Sequence, residues 1–128
     1  MASNYINAND IKANISIGFD LEEYLEEADG EIEDLAQKLG VSTTDIETNP
    51  IHYKVKRYGV VYVLMRLCQD KIGTNNPDVP EIEKYMVLYG VYMKEYERLK
   101  SEISVEMLTG NVNEIRDRAI LSGAIYRS

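Results

Sequence analysis

The stretch Asp20-Leu-Glu-Glu-Tyr-Leu-Glu-Glu-Ala-Asp-Gly-Glu-Ile-Glu-Asp34 decides the fold. It carries nine carboxylates and no basic residue. Within and beyond it, Leu21, Tyr24, Leu25, Ala28, Ile32, Leu35, Ala36 and Leu39 recur at steps of three and four. On an α-helix that spacing lines one face with apolar groups and turns the acids to the other. The pattern predicts a helix that packs inward and is strongly negative outward. Asp20 is its expected cap, with Glu23 completing a capping box. Acids in the first turns suit the helix dipole. Gly30 weakens the middle by about 1 kcal/mol, and Gly40 is a natural C-terminal stop.

Charge is unevenly spread around this helix. The 128-residue chain has a formal net charge of −8. From Met1 to Asn49, 2 bases stand against 12 acids; from Pro50 onward, 12 bases stand against 10 acids. The first part therefore lacks the Lys and Arg that grip phosphate, yet suits a place beside nucleic acid where sticking is avoided. The length fits one domain with one core. A single cysteine, Cys68, permits no internal disulfide and no Cys-based metal site. The start Met-Ala-Ser-Asn-Tyr lacks a signal peptide's features, and no apolar run reaches the ~20 residues of a membrane span. A reducing, cytosol-like compartment and no membrane partner are the expectation.

Along the chain, Asn7-Ala-Asn-Asp10 opens a short helical pattern through Ile11 and Ile15, closed by Gly18. Val41 to Pro50 reads as a polar connection, with Ser42, Thr43 and Thr44 as caps for one turn. Pro50 suits the first position of a helix. Ile51 to Ile72 is apolar on nearly all faces, as expected of a buried central helix. A strand over Tyr58–Leu64 is the alternative there, given its Val and Tyr content. Gly73 to Pro80 is the clearest loop.

Next, Ile82, Tyr85, Tyr89, Tyr92, Tyr96, Leu99 and Ile103 alternate steps of three and four, a heptad seam rich in tyrosine. A tyrosine ring buries area while its hydroxyl needs a partner. The seam therefore fits either the packing of the bundle or a subunit interface formed by Tyr85, Tyr89, Tyr92 and Tyr96. Met107-Leu-Thr-Gly110 ends this helix. Asn111 to Ser128 has no helical stripe and reads as an extended arm that orders on a partner. The fold expected is mainly α: a small bundle of about four helices, two of them long, over residues 1–110, with an extended arm over 111–128.

Reactive constellations are scarce. Glu22 with Glu26, and Glu23 with Glu27, are carboxylate pairs, but acid–base pairs need unequal environments, and a solvated face offers none. Aligned from Asp20, the acidic run fails the calcium-loop pattern, since its sixth position is Leu25. His52 is the only histidine and has no nucleophile or base beside it in a recognisable arrangement. Lys54, Lys56 and Arg57, interleaved with Tyr53 and Tyr58, could contact nucleic acid; pairing with acids of the first half or of a neighbouring subunit is the preferred reading. No phosphate-binding Gly motif is present. The chain is expected to be no enzyme and to need no cofactor or metal.

In order and pattern the chain resembles the head–tail adaptor (head completion, or connector) proteins of tailed bacteriophages. The resemblance rests on Tyr5-Ile-Asn-Ala-Asn-Asp-Ile-Lys12, Ile32-Glu-Asp-Leu-Ala-Gln-Lys-Leu-Gly40 and Val55-Lys-Arg-Tyr-Gly-Val-Val-Tyr62. It continues in Tyr96-Glu-Arg-Leu-Lys-Ser-Glu-Ile103 and Met107-Leu-Thr-Gly110, covering most of the chain to Gly110. Where family members often carry Arg-Tyr and Pro-Leu elements, only Asn49-Pro50-Ile51 stands here.

The resemblance implies a structural protein of the virion neck, assembled in the host cytoplasm. A ring of copies, usually a dodecamer, would sit beneath the portal and pass DNA without binding it specifically. Its partners would be the portal ring, neighbouring adaptor subunits and the next neck or tail-terminator protein. Docking to the portal or a neighbour would then fall to Val112, Ile115, Arg116, Arg118, Ile120, Leu121, Ile125, Tyr126 and Arg127 of the arm. Glu22, Glu23, Glu26, Glu27 and Glu33 would line the bore. Two other readings stand beside it: a small acidic DNA mimic that occupies a DNA-binding protein, and a monomeric bundle whose Tyr stripe is merely core.

Overall fold

The computed structural model describes residues 5–7, 10–11, 21–73 and 79–110. These form a mainly α bundle of four helices: α1 (Leu21–Lys38), α2 (Tyr53–Ile72), α3 (Val79–Glu102) and α4 (Val105–Thr109). No described residue lies in a strand, so the strand alternative for Tyr58–Leu64 falls. Those residues belong to α2, where Val60, Val61, Val63 and Leu64 are all buried. A segment apolar on every face gains most when helices cover it on both sides, and here α1 and α3 do so.

Both flanking helices run antiparallel to α2. Tyr24, Glu27 and Ile32 of α1 meet Asp70, Arg66 and Gly59 of α2 in reverse order. Lys54, Arg57 and Gln69 of α2 likewise meet Glu102, Glu95 and Tyr89 of α3. The core has two ends. One gathers Tyr24, Leu25 and Ala28 with Leu64, Leu67 and Tyr85, closed by Ile6 and Ile11 of the N-terminal segment. The other gathers Ile32, Leu35 and Ala36 with Tyr58, Val61, Leu99 and Leu108.

Gly59 sits where α1 comes closest. A Cβ there would lie 3.0 Å from the Ile32 side chain and 3.4 Å from that of Ile6. A helix-interior glycine costs helix stability; here it makes room for both isoleucines.

The α1 stripe is inward as its spacing predicts: Tyr24, Leu25, Ala28, Ile32, Leu35 and Ala36 are buried, while Leu39 at the end is exposed. Gly40 adopts φ 81°. Its N–H bonds to the Gln37 carbonyl and that of Val41 to the Ala36 carbonyl, the two bonds of a Schellman stop. One 3₁₀ turn, Thr43–Asp45, follows with Ser42 as its cap, as expected.

Several boundaries differ from expectation. Pro50 is not the first residue of α2. It follows a cis peptide bond with Asn49, and the helix starts at Tyr53 with His52 as cap. α3 begins at Val79, inside the stretch expected to be loop. Met107-Leu-Thr-Gly110 does not end the tyrosine helix. The chain leaves helix at Ile103, and Ser104 caps a new one by accepting the Met107 N–H. Gly110 then ends α4 at φ 72°. Ser and Thr are strong helix starters, and Ser104 prevails over the continuing heptad. α4 is fastened by the Glu47 N–H donating to the Leu108 carbonyl at 2.8 Å.

Asn7 and Asp10 cap each other, each side chain accepting the other's backbone N–H at 2.8 and 3.2 Å. The helical pattern continuing through Ile15 to Gly18, the Asp20 cap and the arm over 111–128 lie outside the described residues.

Candidate functional site

The carboxylates of α1 divide into two sets. Glu22, Glu23, Glu26 and Asp34 are exposed; Asp29, Glu31 and Glu33 are half-buried. Glu27 is also half-buried and is bonded to α2. It accepts from the Tyr62 hydroxyl at 3.2 Å and the Arg66 Nε at 3.3 Å. One turn later, Glu31 accepts from the Tyr96 hydroxyl at 2.8 Å. The two residues edge the apolar stripe, so their side chains reach over α2 toward α3. Glu27 thus ties α1 to α2, and the most exposed acids of α1 are Glu22, Glu23, Glu26 and Asp34, with Glu27 and Glu33 at their margin.

The tyrosine seam faces inward, the bundle-packing alternative of its two readings. Tyr85 is buried at 3 % exposure, and Tyr89, Tyr92 and Tyr96 are half-buried against the core. Tyr96 stacks on Tyr58 with ring centres 5.0 Å apart. The Tyr58 hydroxyl donates to that of Tyr96 at 3.2 Å, which in turn donates to Glu31. Burial, then the bonds to Tyr58 and Glu31, drives the Tyr96 phenol far up. Burial is also the main cause holding Tyr58 and Tyr62 up at about 12. Tyr24, which donates to Asp70, stands at about 12 for the same leading reason. Phenols held neutral in this way brace the bundle and supply no base near neutral pH.

The basic cluster is consumed by pairing. Lys54 meets Glu102 at 3.1 Å, Lys56 meets Asp10 at 3.0 Å, and Arg57 forks onto Glu95 at 2.6 and 3.0 Å. Pairing with acids is the preferred reading of the sequence, but two of the three acids come from α3 and not from the acidic first half. The bond from Arg57 holds the Glu95 carboxyl below the usual range.

His52 spends its Nδ1 lone pair on the Lys54 N–H at 3.1 Å. Burial, then Lys54, lowers its pKa, so it serves as a neutral cap. Cys68 is fully buried, and burial pushes its thiol up to about 11. Among the described residues no group of His, Cys, Asp and Glu is arranged to hold a metal, and no helix is long and apolar enough to cross a membrane. Val112, Ile115, Arg116, Arg118, Ile120, Leu121, Ile125, Tyr126 and Arg127 lie outside the described residues.

One surface escaped the sequence reading. On the outward side of α3, Met86, Val87 and Val91 are 57, 67 and 54 % exposed. The signal was available: Val87 and Val91 lie opposite the Tyr seam, where a helix flanking a core is expected to be polar.

No family model, curated protein or solved structure matches the chain. The likeness to head–tail adaptors therefore rests on the pattern of the sequence alone.

Proposed function

We propose that the chain is a non-enzymatic assembly protein, a connector subunit of a tailed-phage neck that sits in a ring beneath the portal. The observation that carries this reading is the outward patch of α1, where Glu22, Glu23, Glu26 and Asp34 stay exposed. Around a channel, such a patch repels the phosphate backbone and lets DNA pass without adhering. Support also comes from half-buried charged side chains between the helices, which are spent on structural pairs: Glu27 and Glu31 on Arg66 and Tyr96, Arg57 on Glu95. The partners proposed are the portal ring, neighbouring subunits, and the next neck or tail-terminator protein, with residues 111–128 as the docking arm.

The same patch favours a second reading, a DNA mimic that blocks a DNA-binding protein. Two variants separate them. The chain ending at Gly110 should keep its helical circular dichroism and fail to co-elute with the portal ring of the phage that encodes it. Normal co-elution of that shortened chain would refute the docking arm. Glu22→Gln/Glu26→Gln/Glu33→Gln should leave portal binding intact. In the mimic reading, the triple variant instead abolishes inhibition of a DNA-binding target while folding is spared.

A further inference from the structure

The outward face of α3 is self-complementary. Glu83, Val87, Gly90 and Lys94 follow one another at steps of four, three and four, and all four are exposed. On a helix they form one line, facing away from Tyr85, Tyr89, Tyr92 and Tyr96. Met86 and Val91 flank this line, both more than half exposed. The apolar middle is thus closed by an acid at one end and a base at the other. Neither Glu83 nor Lys94 has an ion-pair partner among the described residues. A Cβ built on Gly90 would meet nothing within 4 Å, so its helix backbone lies open at the centre of the strip.

We infer that this strip pairs with the same strip of a second copy, antiparallel, about a two-fold axis passing between Leu88 and Tyr89. That register sets Val87 of each copy over Gly90 of the other, where the missing side chain leaves a hollow. Met86 and Val91 border the contact on its two sides in each copy, and Glu83 meets Lys94 at both ends. In an isologous contact residue i touches j and j touches i, and every pairing here satisfies that condition with matched chemistry. A parallel pairing in register would instead set Glu83 on Glu83 and Lys94 on Lys94, which is unfavourable. The inference rests on α3 alone and is independent of the connector reading. A two-fold contact closes on itself, so it yields a dimer and leaves any ring to other surfaces.

The test is light scattering on a sizing column across a dilution series of the full chain. One chain is 14.6 kDa. A mass of two chains, falling toward one on dilution, is expected. A single-chain mass at every concentration overturns the inference, as does a mass above two chains. Glu83→Lys should weaken the pair about tenfold by placing like charges together twice. Glu83→Lys/Lys94→Glu should restore it. A double variant as weak as the single one rules out the antiparallel register. Circular dichroism checks that each variant is folded.

Discussion

α1 and α3 flank the same central helix, yet they show solvent opposite characters. α1 buries a clean apolar stripe and turns carboxylates outward. α3 buries a seam of tyrosines and turns Met86, Val87 and Val91 outward. The inner faces are alike in purpose: each covers one side of α2 and ties its polar edge to it, through Glu27–Arg66 on one side and Glu95–Arg57 on the other. Fold is thus written on the inner faces. What the protein does is sought on the outer ones. Exposed apolar strips on small proteins mark contacts, and a one-sign surface governs what approaches.

If that division holds, substitutions should sort by face. Leu64→Ala, beneath both helices at 1 % exposure, should cost about 2–5 kcal/mol, read as the midpoint of urea unfolding. Tyr96→Phe should cost about 1–3 kcal/mol, because it removes the proton Glu31 accepts and leaves the buried Tyr58 hydroxyl one partner fewer. Its effect should persist in Glu31→Gln far less than in wild type, since the two act together.

Acid should loosen the α2–α3 side through Glu95. Its folded pKa lies below the ordinary 4.5, so the carboxylate stabilises the fold above that value, and the gain is lost as pH falls through the lowered folded value. Because Arg57 is 42 % exposed, Glu95→Gln should remove about 0.5–1 kcal/mol at neutral pH. A unfolding-versus-pH curve of this variant should fall less steeply below pH 4.5 than that of wild type. The smallest effects belong to the outer faces. Glu22→Gln/Glu26→Gln and Val87→Ser should each change stability by under about 0.5 kcal/mol. A large loss in either would mean that an outer face helps hold the bundle.

The bundle was legible where periodicity was strong. Eight apolar positions at helical spacing defined α1, and the all-round apolar run defined a buried α2. Local competition blurred the boundaries. Pro50 looks like a helix start, but His52 provides the cap; the heptad runs on to Ile103, but Ser104 restarts the helix. The fate of Glu27 was hidden for a different reason. Glu27 borders the apolar stripe, and whether it points out or in depends on Tyr62 and Arg66, more than thirty residues away. Gly59 gave its own clue, since a glycine inside an apolar helix marks a close approach. The strip on α3 was overlooked because the tyrosine seam dominates the pattern of the same helix.

The connector reading is tested most directly by the mass of the portal ring after mixing with the full chain, measured by light scattering on a sizing column. The account predicts a portal peak that gains the mass of many copies at 14.6 kDa each, whatever state the free protein adopts. Portal and chain eluting separately at every mixing ratio would contradict it and leave the acidic face of α1 to a DNA-binding protein as its partner.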